Sequence, residues 1–133
     1  PAWLSTDLGP VIDAEARSNL NAHIAELNKS KSAKKVGETP MGPHCDKGTL
    51  VAPIAFEIPG IEMLDQEHFG PILHIVRYKS SQLDAVVDAI NGTGFGLTCA
   101  IHSRIDETQD TCIVLLANAR CLLIPRRPAA MRP

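Results

Sequence analysis

The sequence predicts an α/β fold in which a layered sheet of mainly parallel strands is flanked by helices. Short runs rich in apolar and β-branched residues alternate with segments whose apolar residues recur every three or four positions. The first pattern is typical of strands and the second of helices. Strands that alternate with helices over short connections usually pair in parallel. With an apolar content of 44% over 133 residues, the chain can build one core.

The first predicted helix extends from Asp13 to about Leu27. Asp13 is a suitable N-cap, because its carboxylate can accept a hydrogen bond from the first turn, and Glu15 favours the positive end of the helix dipole. The buried stripe is expected to consist of Ala16, Leu20, Ile24 and Leu27. A short candidate strand at 35–37 follows. Prolines and glycines then predict a loop over about 38–47.

Two longer strands are predicted after this loop. Residues 49–58 are apolar and rich in β-branched side chains. Pro53 places this strand at a sheet edge or at a bulge, because proline has no backbone N–H to donate. Residues 72–78 are apolar at nearly every position of their first half, which favours a strand covered on both faces.

The remaining elements alternate between helix and strand. A second helix is predicted to begin at Ser81 and to end at Gly92, because glycine accepts the left-handed conformation that follows many helices. Its buried stripe is expected to consist of Leu83, Val86, Val87 and Ile90. We then expect a strand at 97–101, a helix at about 106–116 and a short apolar strand at 121–124.

Charge and composition exclude several functions. The formal net charge of −2 gives no basic surface for nucleic acid. No apolar stretch approaches the roughly 18–20 residues that span a bilayer, and the start PAWLSTD lacks the pattern of a secretory signal. We therefore expect a soluble, cytoplasmic protein with neither a nucleic-acid nor a membrane partner. The four cysteines form no CxxC pair, which argues against a disulfide framework or a zinc knuckle, and Cys99 and Cys112 are expected in the core.

The motif EHFGP at 67–71 stands directly before the apolar run 72–76. It places a carboxylate, Glu67, and one of only three phenylalanines, Phe69, at the start of a predicted strand. A carboxylate can accept two hydrogen bonds from hydroxyl groups, and a neighbouring ring can restrict a bound ligand. Alternatively, Glu67 is a solvated loop acid and Phe69 anchors the following strand in the core.

Four phrases occur in a characteristic order: TDLGPVIDAEA (6–16), GTLVAPIAFEI (48–58), EHFGPILHIVRY (67–78) and INGTGFGLTCAIHSRIDET (90–108). Together they resemble the aldehyde dehydrogenase superfamily. Within it, GPVID, LHIVRY and IHSRIDET favour the 1-pyrroline-5-carboxylate (glutamate-semialdehyde) dehydrogenases of bacterial proline catabolism. The resemblance implies a partial catalytic domain whose reaction is the NAD-dependent oxidation of glutamate semialdehyde to glutamate.

The resemblance also assigns roles to the EHFGP motif. In that family the acid binds the hydroxyls of the nicotinamide ribose and the phenylalanine packs beside the nicotinamide. The resemblance therefore implies NAD as cofactor and Glu67 and Phe69 as cofactor-binding residues, with Gly70 and Pro71 fixing the turn that orients them. The family's nucleophilic cysteine and general base would precede Pro1. We accordingly name no catalytic residue and expect the chain to be inactive alone.

The resemblance weakens after Thr108. We therefore divide the chain into 1–118, a partial aldehyde dehydrogenase catalytic domain, and 119–133, a divergent tail that we expect to be disordered. A second hypothesis is that the chain is a non-catalytic module that self-associates or binds a partner. An exposed sheet edge or an uncovered apolar face would serve as its interface.

Three other features have simpler interpretations than a functional site. The run His44-Cys45-Asp46 contains only potential metal ligands, but adjacent residues of one loop rarely all reach one ion, so we predict no metal site. His74 and His102 lie in or beside strands and are expected to be structural, hydrogen-bonded histidines. The glycine-rich run 92–96 follows a helix and precedes a strand, the reverse of a nucleotide-binding loop, and is interpreted as a connection.

Overall fold

The computed structural model describes residues 7–43, 45, 47–95, 97–115 and 120–123. The chain divides into two compact units, Pro1–Arg77 and Tyr78–Pro133. The predicted α/β class is confirmed. In chain order the helices and strands are α1 (Ala14–Lys29), β1 (Lys34–Glu38), β2 (Ile54–Glu57), β3 (Ile72–Ile75), α2 (Leu83–Gly92), β4 (Thr98–Ile101), α3 (Asp106–Leu115) and β5 (Arg120–Leu123). Within these residues, no helix combines the length and the apolar content needed to cross a bilayer.

Helix α1 begins where the sequence predicts because Asp13 caps it. The Asp13 Oδ1 atom accepts a hydrogen bond of 2.7 Å from the backbone N–H of Ala16. The buried residues of α1 are Leu20, His23 and Leu27, whose spacings of three and four place them on one face. An imidazole therefore lies within a stripe that the sequence predicts to be apolar.

The first unit contains a three-stranded sheet in the order β1-β2-β3. Strand β1 is antiparallel to β2 and carries an irregularity between Lys35 and Gly37, whereas β2 and β3 are parallel. The predicted strand at 49–58 has regular pairing only over β2, because Pro53, directly before it, cannot donate to a neighbouring strand. The Pro53 carbonyl still accepts a hydrogen bond of 2.9 Å from the Thr39 N–H.

The core of the first unit joins α1 to the sheet. It consists of Leu27 from α1 and of Ile54, Phe56 and Ile58 from β2 and the residues after it. Alternate residues of a strand point to the same face, so these three side chains face the core together. Phe56 is the most enclosed of them, with 1% of its surface exposed. The helix is thus fixed on the strand that lies at the centre of the sheet.

The second unit consists of α2, α3 and a two-stranded sheet. Strands β4 and β5, which α3 connects, pair in parallel as predicted. The described strands thus belong to two sheets, β1-β2-β3 and β4-β5, whereas the sequence predicts one sheet. Among the side chains that the structure describes, Val87 and Cys112 are the buried residues of this unit. Cys99 packs against them, so both cysteines are core residues as predicted.

Several boundaries differ from the predictions. A 3₁₀ turn at Ser80–Gln82 precedes α2, and the Gln82 side-chain oxygen accepts a hydrogen bond of 3.2 Å from the Lys79 N–H. Ser81 therefore does not cap α2. The left-handed residue after α2 is Gly94, with φ of 75°, rather than Gly92. Of the predicted tail, residues 120–123 form β5, and 119 and 124–133 lie outside the described residues.

Candidate functional site

The EHFGP motif lies in a segment, residues 64–71, that enters β3. The N–H of Ile72 donates a hydrogen bond of 2.9 Å to the Gly70 carbonyl, which closes a three-residue turn centred on Pro71. The N–H of Ile54 donates a hydrogen bond of 3.0 Å to the Pro71 carbonyl. The end of the segment is therefore attached to β2 directly before the two strands begin to pair.

Gly70 brings the segment into close contact with α1. A Cβ atom at Gly70 would overlap the terminal carbons of the Leu20 side chain. Leu20 is only 2% exposed and has little room to move away. The backbone of the motif thus lies against the helix because the residue at this position has no side chain.

The two residues that the sequence singles out point away from the core. Phe69 is 77% exposed, so the alternative that it anchors β3 in the core is wrong. Glu67 is also exposed. In the described part of the chain its carboxylate has neither a hydrogen-bond partner nor an ion-pair partner. The segment therefore presents an unengaged carboxylate and an uncovered aromatic ring two positions apart.

A cleft of about 310 Å³ separates the motif from α1. It is lined by Ala16, Asn19, Leu20, Gln66, Glu67, His68 and Phe69. A carboxylate in this position can accept hydrogen bonds from two hydroxyl groups of a sugar, while the exposed ring can pack against a flat group. These residues fit the ribose and nicotinamide end of a dinucleotide. No cysteine belongs to the described lining.

Three histidines meet beside this cleft, a contact that the sequence does not predict. The Nε2 atoms of His23 and His74 are 2.9 Å apart, a hydrogen-bond distance. The rings of His23 and His68 are stacked with centroids 3.6 Å apart. His74 is thus the hydrogen-bonded structural histidine that was predicted. The available signal was the position of His23 in the buried stripe of α1, three residues after Leu20.

Burial determines the protonation of two of these histidines. Burial lowers the pKa of His23, and the adjacent His68 lowers it further. The carboxylates of Glu26 and Asp65 raise the pKa of His23 by a smaller amount. Burial, followed by His23 and His68, also lowers the pKa of His74. Both rings are consequently held in the neutral form at neutral pH.

The remaining candidates from the sequence do not join this site. His44 and Asp46 lie outside the described residues, and Cys45 is half-buried. Among the described side chains, no group of three or more histidines, cysteines or acids has the geometry of a metal site. His102 is exposed in the second unit. The glycine-rich run follows α2 and precedes β4, as expected of a connection.

Comparison with known proteins gives consistent matches. The sequence model of the aldehyde dehydrogenase family matches residues 1–118. The bifunctional protein PutA of Escherichia coli K12 is 40% identical over 113 residues, which cover 81% of this chain. A crystal structure of a variant of Bradyrhizobium japonicum Proline Utilization A is 40% identical, covers 89% of this chain and superimposes with a TM-score of 0.79. The Delta-pyrroline-5-carboxylate dehydrogenase of Mycobacterium tuberculosis, 20% identical with a TM-score of 0.71 over 90% of this chain, shares the fold and is matched over 22% of its own length.

These relatives are much longer than the matched region. The chain spans 8% of the length of the Escherichia coli protein and 12% of the Bradyrhizobium japonicum chain. The match therefore concerns one part of a large polypeptide, and that part includes the EHFGP segment.

Proposed function

The chain belongs to the aldehyde dehydrogenase family, and on this premise we propose that it is part of the catalytic domain of an NAD-dependent dehydrogenase. The proposed reaction is the oxidation of glutamate semialdehyde (1-pyrroline-5-carboxylate) to glutamate in proline catabolism. The similarity to PutA proteins at about 40% identity supports this choice of substrate. Because the described cleft is lined by no cysteine, we propose that this chain binds cofactor without oxidising aldehyde on its own.

The observation that carries the proposal is the unengaged Glu67 carboxylate beside the exposed Phe69 ring. An exposed acid without a protein partner keeps both oxygens available to a ligand. An exposed aromatic ring leaves apolar area in water, and covering this area on binding is favourable. The two groups thus offer a polar and an apolar contact to one ligand that has both characters.

The residues of this chain would bind and orient the cofactor. When bound, NAD supplies the hydride acceptor of the reaction. Glu67 would accept hydrogen bonds from the two hydroxyls of the nicotinamide ribose, and Phe69 would limit the movement of the nicotinamide ring. Gly70 and Pro71 would hold both side chains in place, because their backbone is fixed against Leu20 and β2.

The experiment is calorimetric titration of the 133-residue chain with NAD. We expect saturable binding that Glu67→Gln weakens by at least about tenfold, because hydrogen bonds to a charged acceptor contribute about 1.5–3 kcal/mol and each 1.4 kcal/mol is tenfold. Glu62→Gln is the matched control, since Glu62 is an exposed acid just before the same segment. Phe69→Ala should also weaken binding, whereas Phe95→Ala, which truncates an exposed ring of the second unit, should not.

Equal affinities of the wild-type chain and Glu67→Gln would refute the proposed role of the carboxylate. A folded wild-type chain that releases no heat with NAD would refute cofactor binding by this chain. A loss of affinity in Glu62→Gln as large as in Glu67→Gln would mean that only the net charge is being measured.

A second candidate function is self-association without catalysis, which an apolar groove on the first unit favours. All five residues of the edge strand β1 are exposed, and the adjacent groove of about 560 Å³ includes Leu8, Ile54 and Leu73. A second copy could pair with the edge and cover the groove. Sedimentation velocity should then show a dimer that Leu73→Lys dissociates. A monomer at all concentrations would exclude this candidate.

A further inference from the structure

We propose that His23, His68 and His74 form a proton-sensitive clasp that holds residues 65–69 against α1 while His23 and His74 are neutral and releases them when these two rings take up protons. The bond from His74 fixes the His23 ring, and His68 of the segment stacks on that ring. The three rings come from three different elements of the first unit: α1, the segment that carries EHFGP, and β3. His23 is buried, with 8% of its surface exposed, and the other two are half-buried. The clasp is therefore a contact between elements rather than within one.

The bond between His23 and His74 requires a ring nitrogen that can accept. At 2.9 Å one Nε2 atom donates its proton and the other accepts it. A doubly protonated imidazole carries only donors, so the bond disappears when both rings are charged. Two positive charges would then also repel each other at close range.

His68 is held in a different way. Its ring lies on His23 with an angle of 19° between the ring planes, and its Nε2 atom is buried without a hydrogen-bond partner among the described residues. Stacking on His23 thus holds this ring. Across this contact His68 lowers the pKa of His23.

The charged groups around the clasp do not reverse this preference. From α1, Glu26 faces His23, and from the segment Asp65 does so. Both acids are exposed, and their effect on the pKa of His23 is smaller than that of burial. His74 has only the other two histidines as titratable neighbours that affect its pKa. Burial and the neighbouring histidines therefore outweigh the two acids, and the neutral state of His23 and His74 is favoured.

The direction of the pH effect follows from these lowered pKa values. When the segment opens or the chain unfolds, His23 and His74 return toward their ordinary pKa of 6.5, so the open state binds more protons than the closed state below this pH. The clasp is fully closed above about pH 6.5 and weakens as the pH falls toward the lowered values. The opening equilibrium rises by up to about tenfold per pH unit for each additional proton bound.

Opening would affect a limited part of the chain. The Pro71 carbonyl remains bonded to the Ile54 N–H, and Gly70 remains packed on Leu20. The free part therefore comprises residues 65–69, which include Glu67 and Phe69. We expect opening to weaken NAD binding, and this expectation rests on the proposed function. The clasp itself does not depend on it.

Backbone NMR order parameters of the full chain at about pH 5.5 and 7.5 test the clasp. We expect those of residues 65–69 to fall below about 0.6 at the lower pH, while those of β2 stay at about 0.85. The double variant His68→Phe and His74→Gln keeps a stacking ring and a hydrogen-bonding group that cannot titrate. Only His23 of the clasp then takes up protons, so the dependence should be smaller than in the wild-type chain. His102→Gln, an exposed histidine of the second unit, is the control and should retain it.

Order parameters of residues 65–69 that do not change with pH in the wild-type chain overturn the proposal, as does a dependence that His102→Gln abolishes. If the double variant fails to fold, NMR titration of the wild-type histidine rings decides. Ring signals of His23 and His74 that titrate below about pH 6.5 support the clasp. Ring signals of these two residues that titrate at or above that value overturn it. NAD titration at both pH values separates the two proposals. The absence of NAD binding at both values refutes the proposed cofactor role but leaves the clasp standing.

Discussion

Replacement of Gly70 by alanine tests how the EHFGP segment is held on α1. The new Cβ atom would overlap the end of the Leu20 side chain, which is buried and cannot turn into solvent. Overpacking of this kind costs about 1–3 kcal/mol. Alanine has fewer conformations than glycine in the unfolded chain, which raises the free energy of unfolding by about 0.4–1 kcal/mol. This gain applies because Gly70 has no left-handed backbone conformation that alanine would have to adopt. We expect a net loss of about 1–2 kcal/mol in the free energy of unfolding.

The assay is urea denaturation followed by circular dichroism, arranged as a double-mutant cycle with Leu20→Ala. Leu20→Ala alone should cost about 2–5 kcal/mol, because it removes a buried side chain. In that background Gly70→Ala should be neutral or slightly stabilising, because the overlapping atoms are gone. Gly37→Ala is the matched control, since a Cβ atom at Gly37 in β1 meets nothing within 4 Å.

Two results would refute this reasoning. The first is an equal free energy of unfolding for Gly70→Ala and Gly37→Ala. The second is the same cost of Gly70→Ala with and without the Leu20 side chain, because the destabilisation would then arise from the backbone rather than from this contact.

Two further predictions concern the elements that support the segment. Asp13→Ala should reduce the free energy of unfolding by about 1 kcal/mol, because the Ala16 N–H loses its acceptor. Asp13→Asn should retain most of the wild-type stability, because asparagine also caps helices. Equal losses in both variants would contradict the capping role. Phe56→Ala should cost about 3–5 kcal/mol in the same denaturation assay, because its ring is 1% exposed at the centre of the core. A cost of Phe56→Ala below about 1 kcal/mol would mean that α1 does not depend on β2 for its position.

The predicted start of α1 was accurate because a local signal decides it: Asp13 caps α1 through a bond to a residue three positions away. The strand predicted at 49–58 is shorter in the structure, Ile54–Glu57, and it lies between β1 and β3 rather than at a sheet edge. The start of α2 was predicted less well. A serine was expected to cap it, but a 3₁₀ turn closed by the Gln82 side chain precedes the helix, and either start is compatible with the local sequence.

The candidate site was predicted in part. The EHFGP motif pointed to Glu67 and Phe69, and the fold leaves both side chains exposed on one segment beside α1. Their role toward NAD stays a prediction. The contact between His23 and the histidines of the same segment and of β3 was not predicted, because a histidine in an apolar stripe does not reveal which residue it will meet.

The sequence by itself determined the α/β class, the order of the helices and strands, and the family, since periodicity, caps and motifs act over a few neighbouring residues. Only the tertiary structure decided that the described strands form two sheets, that Gly70 lies on Leu20, and that two histidines 51 positions apart share a hydrogen bond. Such contacts depend on how a helix packs on a sheet. That packing is fixed by the combined burial of many side chains, so no short stretch of sequence specifies which distant residues will touch.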